Sequence, residues 1–192
     1  MNLFLYFTCA YLVGSLMAGY FVVKYLGKKD LRLEGSGNVG ARNAGRVHGK
    51  ASFILTFLGD AMKGAFIVLA GKYIGFTPEI ILTGLAFTIF GHLKPITLNF
   101  KGGMGISTFI GGMIAFDPSL AAVIAITFIV LYPFLKSFTF AGLGSFLAIP
   151  FALYLKGASP LILMITVFFI MIILFVHRMD IKQRLDIRAA RK

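Results

Sequence analysis

The chain has 192 residues, of which 58% are hydrophobic and only 14% charged. Soluble domains carry about 25% charge, so this chain has too little polar surface to cover itself in water. Its mean hydropathy of +0.89 makes lipid its natural solvent. Nineteen Lys and Arg against seven Asp and Glu give a net charge of +12. Such an excess serves nucleic acid, anionic headgroups or an anionic substrate, and the long apolar runs exclude nucleic acid. A lone cysteine, Cys9, rules out an internal disulfide, and no His/Cys cluster has zinc-like spacing, so neither metal nor cofactor is expected.

Leu3 to Val23 runs without a charge, long enough to cross ~30 Å of hydrocarbon. Its positive charges follow the apolar run, which predicts a retained span with the N-terminus outside. Further apolar segments are Ser52–Tyr73, Ile80–Gly91, Ile106–Phe116, Ser119–Leu135, Phe138–Leu155 and Leu161–Val176. The expected fold is an all-α integral membrane protein of seven transmembrane helices, a single domain over residues 1–192 with its C-terminus in the cytoplasm. Loops 24–50 and 94–105, Lys136 and the basic tail 177–192 then hold sixteen of the nineteen basic residues on the cytoplasmic side. Ile106–Phe116 would reach only ~16 Å as a helix, so it is either re-entrant or a short crossing. The odd number of crossings keeps the tail inside.

Three polar stretches break the lipid pattern on that same side. In L-E-G-S-G-N-V-G-A-R-N-A-G-R (33–46), Gly35, Gly37, Gly40 and Gly45 let a ligand approach the main chain. Ser36, Asn38 and Asn43 add neutral donors, and Arg42 and Arg46 add forks that fit phosphate. An ordinary turn between helices would explain this loop equally well. In the second stretch, from Gly91 to Gly112, K-G-G-M-G-I-S-T (101–108) puts glycines before hydroxyls opening a helix. It is not a nucleotide-triphosphate loop, because Ile106 rather than Lys precedes Ser107. The third stretch begins V-H-R at Val176 and anchors to anionic headgroups, with His177 where the last span meets the interface. Inside the second span, Asp60 and Lys63 share a helix face, and their depth favours a mutually neutralising structural pair.

In that order and spacing, these motifs resemble the bacterial acyl-phosphate:glycerol-3-phosphate acyltransferases of the PlsY type. The first motif is carried by Gly35, Ser36, Gly37, Asn38, Gly40, Asn43 and Arg46, followed by Asp60, Lys63 and Gly64. The second is carried by Gly91, His92, Pro95, Phe100, Lys101, Gly102, Gly103, Gly105 and Thr108, and the third by His177, Arg178 and Ile181. The resemblance implies acyl transfer from acyl phosphate to the 1-hydroxyl of glycerol 3-phosphate at the bacterial plasma membrane, opening phospholipid synthesis. Lysophosphatidic acid and phosphate are the products. It also implies that Ser36 and Arg46 orient phosphate, that Gly102, Gly103 and Gly105 form the glycerol 3-phosphate loop with His92, Lys101 and Thr108 beside it, and that His177 sits at the active site. The general base is open between His177, His92 and the substrate's own phosphate. Departures from the family pattern are Met104 for a usual Lys, Arg42 for Thr, and Asp180 for Asn; Arg42 and Lys94 are cations that can stand in for the missing one. The alternatives are a transporter or channel for a small organic anion, and an inactive lipid-binding paralogue.

Overall fold

The structure, a computed structural model, describes residues 2–179 and 181–182. Asp180 and the basic tail from 183 onward therefore lie outside the described residues. Every regular element described is helical, and the chain forms two compact units, Met1–Asp117 and Pro118–Lys192.

The first unit holds α1 (Leu3–Gly14), α2 (Ala18–Gly27), α3 (Ala41–Ile74), α4 (Pro78–Leu93) and α5 (Ile106–Phe116). Single-turn 3-10 helices at Leu31–Leu33 and Ile96–Leu98 lie in the two loops that lead into α3 and α5. The central packing is α3 along α5, with α1 on α4 and α2 on α3. Close approach is built in: a Cβ on Gly64 would run into the Thr108 carbonyl across the α3–α5 contact. Tyr6, Ala10 and Ile67 form one buried cluster, and the Tyr6 hydroxyl donates to Ile67 O at 3.0 Å. A second cluster joins Met17, Val23, Leu31, Val39, Ala44 and Leu98.

Two features of this unit differ from the sequence expectation. The apolar run from Leu3 is not one helix: it breaks at Ser15–Met17, between α1 and α2. A Gly14–Ser15 pair starts the break, and Ser15 Oγ donates back to Tyr11 O at 3.0 Å, a combination that kinks helices. Loop 24–50 is also only partly a loop. Residues from Ala41 are already helical, and α3 continues through a kink at Gly49, whose φ of 86° and ψ of −179° suit glycine alone.

The second unit holds α6 (Leu120–Leu135), α7 (Phe138–Phe146), α8 (Ala148–Leu155) and α9 (Pro160–Val176). Here α6 packs on α7 and α8, and α8 on α9. The expected span Phe138–Leu155 is divided at Leu147, where Pro150 has no N–H to give Phe146 and falls in the first turn of α8. Ser137 and Ser159 cap α7 and α9 by accepting from Phe140 N and Ile162 N.

Among the described residues, four helical stretches are long and apolar enough to cross a bilayer: Leu3–Gly27, Ala41–Ile74, Pro78–Leu98 and Phe138–Leu155. Ile106–Phe116, Leu120–Leu135 and Pro160–Val176 are shorter apolar helices. Large hydrophobic side chains on most of them face outward, among them Phe4, Met62, Phe66, Ile129 and Met164, as a lipid-immersed surface requires, whereas Ile106–Phe116 exposes none.

Candidate functional site

Two loops of the first unit carry most of the polar residues singled out by sequence. They rest on one shared core, since Leu98 of the second loop packs in the same cluster as Leu31 and Val39 of the first.

The first loop is closed on itself by Asn43. From the first turn of α3, its side-chain NH2 donates to Glu34 O and Asn38 O, both at 2.9 Å. Its Oδ1 accepts from Ser36 N at 2.9 Å. Gly35 turns there with φ 61°, and a Cβ at that position would run into Asn43 Oδ1. Asn38 Oδ1 takes the Gly40 N–H at 2.7 Å, and Gly37 N donates to Glu34 O at 3.0 Å. Asn43 is 3% exposed. The structure thus makes Asn43 an internal lock, with its amide hydrogens spent inside the loop, and uses Asn38 Oδ1 as a local acceptor; the Ser36, Gly37 and Gly40 N–H groups are engaged within the loop as well. The Ser36 side chain remains exposed, as do Arg42 and Arg46, one turn apart on α3.

The entrance of this loop is held by a different contact. Asp30 caps the 3-10 turn by accepting from Arg32 N at 3.0 Å, and its carboxylate pairs with the Arg32 guanidinium, Oδ2 lying 2.6 Å from Nη2. That charge-assisted pairing holds the Asp30 carboxyl below the usual carboxylate range.

The second loop is supported from beneath. It turns through Asn99 and Phe100, both left-handed, and ends at Gly105, the N-cap of α5 with φ 82°. Gly103 N donates to His92 O at 3.0 Å. A Cβ on Gly103 would strike His92 Nε2, so the ring is the floor of the loop. His92 Nδ1 shares a 3.2 Å hydrogen bond with Thr108 Oγ1 and lies 3.7 Å from Asp60 Oδ1. His92 is 2% exposed and Thr108 fully buried, so both lie under the loop rather than on its surface. The loop-to-helix arrangement expected from K-G-G-M-G-I-S-T is present, and a 3-10 turn rather than a strand leads into it. The N-terminus of α5 presents backbone N–H groups that have no partner within the helix, as any helix start does. Lys94 and Lys101 are exposed on this loop.

His177 belongs to the second unit, where it caps α9 and is buried. Its Nδ1 lies 2.8 Å from Ile173 O. A carbonyl only accepts, so this contact puts the ring proton on Nδ1 and fixes the ring's orientation. Arg178 donates to Phe175 O at 2.9 Å and stacks on the Phe175 ring at 4.1 Å.

Asp60 and Lys63 form the expected pair, with Oδ1 and Nζ 3.0 Å apart. Sequence reading missed two contacts here. Lys63 reaches the broken end of α1, and Thr97, unremarked among apolar neighbours, donates to Ser15 O at 2.5 Å. The only sequence signal for either was the Gly14–Ser15 pair.

A family model described as "Glycerol-3-phosphate acyltransferase" matches residues 4–186. The chain is 45% identical over 175 residues to "Glycerol-3-phosphate acyltransferase 1" of Bacillus cereus, covering 91% of this chain and 96% of that protein. Two crystal structures of PlsY (YgiH), an integral membrane glycerol 3-phosphate acyltransferase, share the fold. The glycerol 3-phosphate form has a TM-score of 0.87 and 29% identity, and the lysophosphatidic acid form 0.85 and 27%. Each alignment covers 97% of this chain and 93% of the other.

Proposed function

The chain belongs to the glycerol-3-phosphate acyltransferase family, and from that premise we propose that it acylates the 1-hydroxyl of glycerol 3-phosphate with an acyl phosphate. The observation that carries this reading is the pair of ordered loops on one core, each opening a helix, with Ser36, Arg42, Arg46, Lys94 and Lys101 exposed on or beside them. Two anions must be held together in this reaction, and two adjoining cationic loops suit that task.

Acyl phosphate is a mixed anhydride, which supplies the driving force without a cofactor. The 1-hydroxyl oxygen attacks the acyl carbonyl carbon, the carbon–oxygen bond to phosphate breaks, and the hydroxyl proton leaves to a base. Lysophosphatidic acid and inorganic phosphate result. Arg46 and Ser36 orient phosphate, while the α5 N-terminus and the loop of Gly102, Gly103 and Gly105 hold glycerol 3-phosphate. His92 and Thr108 support that loop from below. His92, His177 and the substrate's own phosphate are the candidate bases.

The topology proposed is seven crossings, with the three shorter apolar helices counted as spans and both units acting in one membrane-embedded enzyme. The N-terminus lies outside, and the loops and tail face the cytoplasm. The bias of sixteen basic residues in nineteen supports this orientation. The test is transfer from palmitoyl phosphate to labelled glycerol 3-phosphate by the purified protein. Labelled lysophosphatidic acid from the wild type, lost in Arg46→Ala, is the expected result. A wild type that binds neither substrate and makes no product overturns the reading.

A further inference from the structure

The break in the first span lies within a stretch long and apolar enough to cross a bilayer, and the carbonyls it frees at the end of α1 need partners. Lys63 is one. From α3, its Nζ donates to Gly14 O at 2.9 Å and Leu16 O at 2.8 Å, and lies 3.7 Å from Met17 Sδ. These are carbonyls at the C-terminal end of α1, the negative end of its dipole. Asp60, one turn back on α3 and fully buried, pairs with Lys63 at 3.0 Å. The cation thus faces the negative end of the first half-helix, with the anion fixed beside it on α3. A pair serving only to cancel its own charge has no reason to be oriented this way.

Both polar loops seat on that break. Thr97 of the second loop donates to Ser15 O, and Met17 shares its buried cluster with Val39 and Leu98, one from each loop. A Cβ on Gly19, one residue past the start of α2, would run into Val39 O. Lys72, at the other end of α3, shows the simpler version of such a cap: it donates to Ala115 O and Phe116 O at the end of α5 without any loop resting there.

We propose that Asp60 and Lys63 are positioning residues: an oriented ion pair that clamps the interrupted first span and so sets the seats of the two substrate loops. For its kinetic consequence this rests on the acyltransferase reading; the structural part stands without it. The decisive variant is the exchange Asp60→Lys with Lys63→Asp, which keeps an ion pair but puts the carboxylate where the cation met the carbonyls of Gly14 and Leu16. Hydrogen–deuterium exchange in the full-length purified protein is expected to rise about tenfold at 14–19 and 96–105. The Michaelis constant for glycerol 3-phosphate is expected to rise on a similar scale. Recovery of wild-type exchange and kinetics by the swapped pair overturns the proposal.

Should the swapped protein fail to accumulate, Thr97→Val decides instead, because it cuts the link between break and loop without touching a charge. Faster exchange confined to 14–19 and 96–105, with a several-fold higher Michaelis constant and kcat within about twofold, is the expected outcome. Unchanged exchange in those segments overturns the proposal. A wild type without acyl transfer defeats the functional reading alone, and the exchange measurement then judges the clamp by itself.

Discussion

The two polar loops of the first unit look alike in sequence and are built in opposite ways. Both begin with a 3-10 turn, pass through glycines and end at a helix N-terminus. The first is tied by the helix that follows it, through the Asn43 side chain reaching back from α3. The second is tied by the helix that precedes it, through His92 at the end of α4 pressing on Gly103. One is a hydrogen-bonded knot and the other a packed lid over a ring. Glycine-rich composition therefore says that a backbone must come close to something, and leaves open whether that something is substrate or the protein itself.

The knot is the more vulnerable of the two. Asn43→Ala removes three partly buried hydrogen bonds at once, which costs about 2–3 kcal/mol of loop order. On the proposed function this lowers kcat/KM by ~30- to 150-fold. Asn43→Asp separates the parts, since it keeps the acceptor for Ser36 N but loses both donors, and its activity should fall between alanine and wild type. An Asn43→Ala protein with near-normal kcat/KM would show that the first loop is held by something other than this side chain.

The packed lid responds to volume instead. Gly103→Ala forces a methyl group against His92 Nε2, an overpacking expected to cost about 1–3 kcal/mol. The defect should appear mainly as a raised Michaelis constant for glycerol 3-phosphate. Shrinking the ring in the double variant Gly103→Ala, His92→Ala should recover part of it, a non-additive result that identifies the contact. Strictly additive losses would mean that the ring and the loop act separately, and the contrast between the two loops would fall with them.

What the sequence revealed, and what it hid, follows from the range of the interactions. The apolar helices were legible because burial in lipid leaves a composition signal along each segment: Ile106–Phe116 has the bounds read from sequence, and Leu120–Leu135 and Pro160–Val176 differ by a residue at their starts. The start of α5 was legible because Gly105, Ser107 and Thr108 carry a local signature. Less visible were features decided by contacts across the fold. Asn43 and Thr108 are the same residue types whether their polar groups face a ligand or, as here, face Ser36 and His92. The breaks at Ser15–Met17 and Leu147 lie within runs whose hydropathy does not change, and the kink at Gly49 depends on a backbone angle rather than on side-chain polarity.

The smallest effect is expected at the entrance to the first loop, and it sharpens the comparison because the second loop has no counterpart. Pro95 opens the second 3-10 turn without a side-chain cap, whereas Asp30 both caps the first and pairs with Arg32. Because the Asp30 carboxyl is held below its ordinary value of 3.8 by the Arg32 hydrogen bonds, its contribution is present at pH above that value. It is lost as the pH falls through the depressed native value. The pair is partly exposed to solvent, so Asp30→Asn should cost only about 0.5 kcal/mol at pH 7. Thermal unfolding of wild type and variant in the same detergent should differ slightly at pH 7, and the gap should close progressively below pH 3.8. A gap of the same size at every pH would show that the charge is not its source, since asparagine keeps an oxygen able to accept from Arg32 N. Either outcome isolates an element that stabilises one loop and that the other does without.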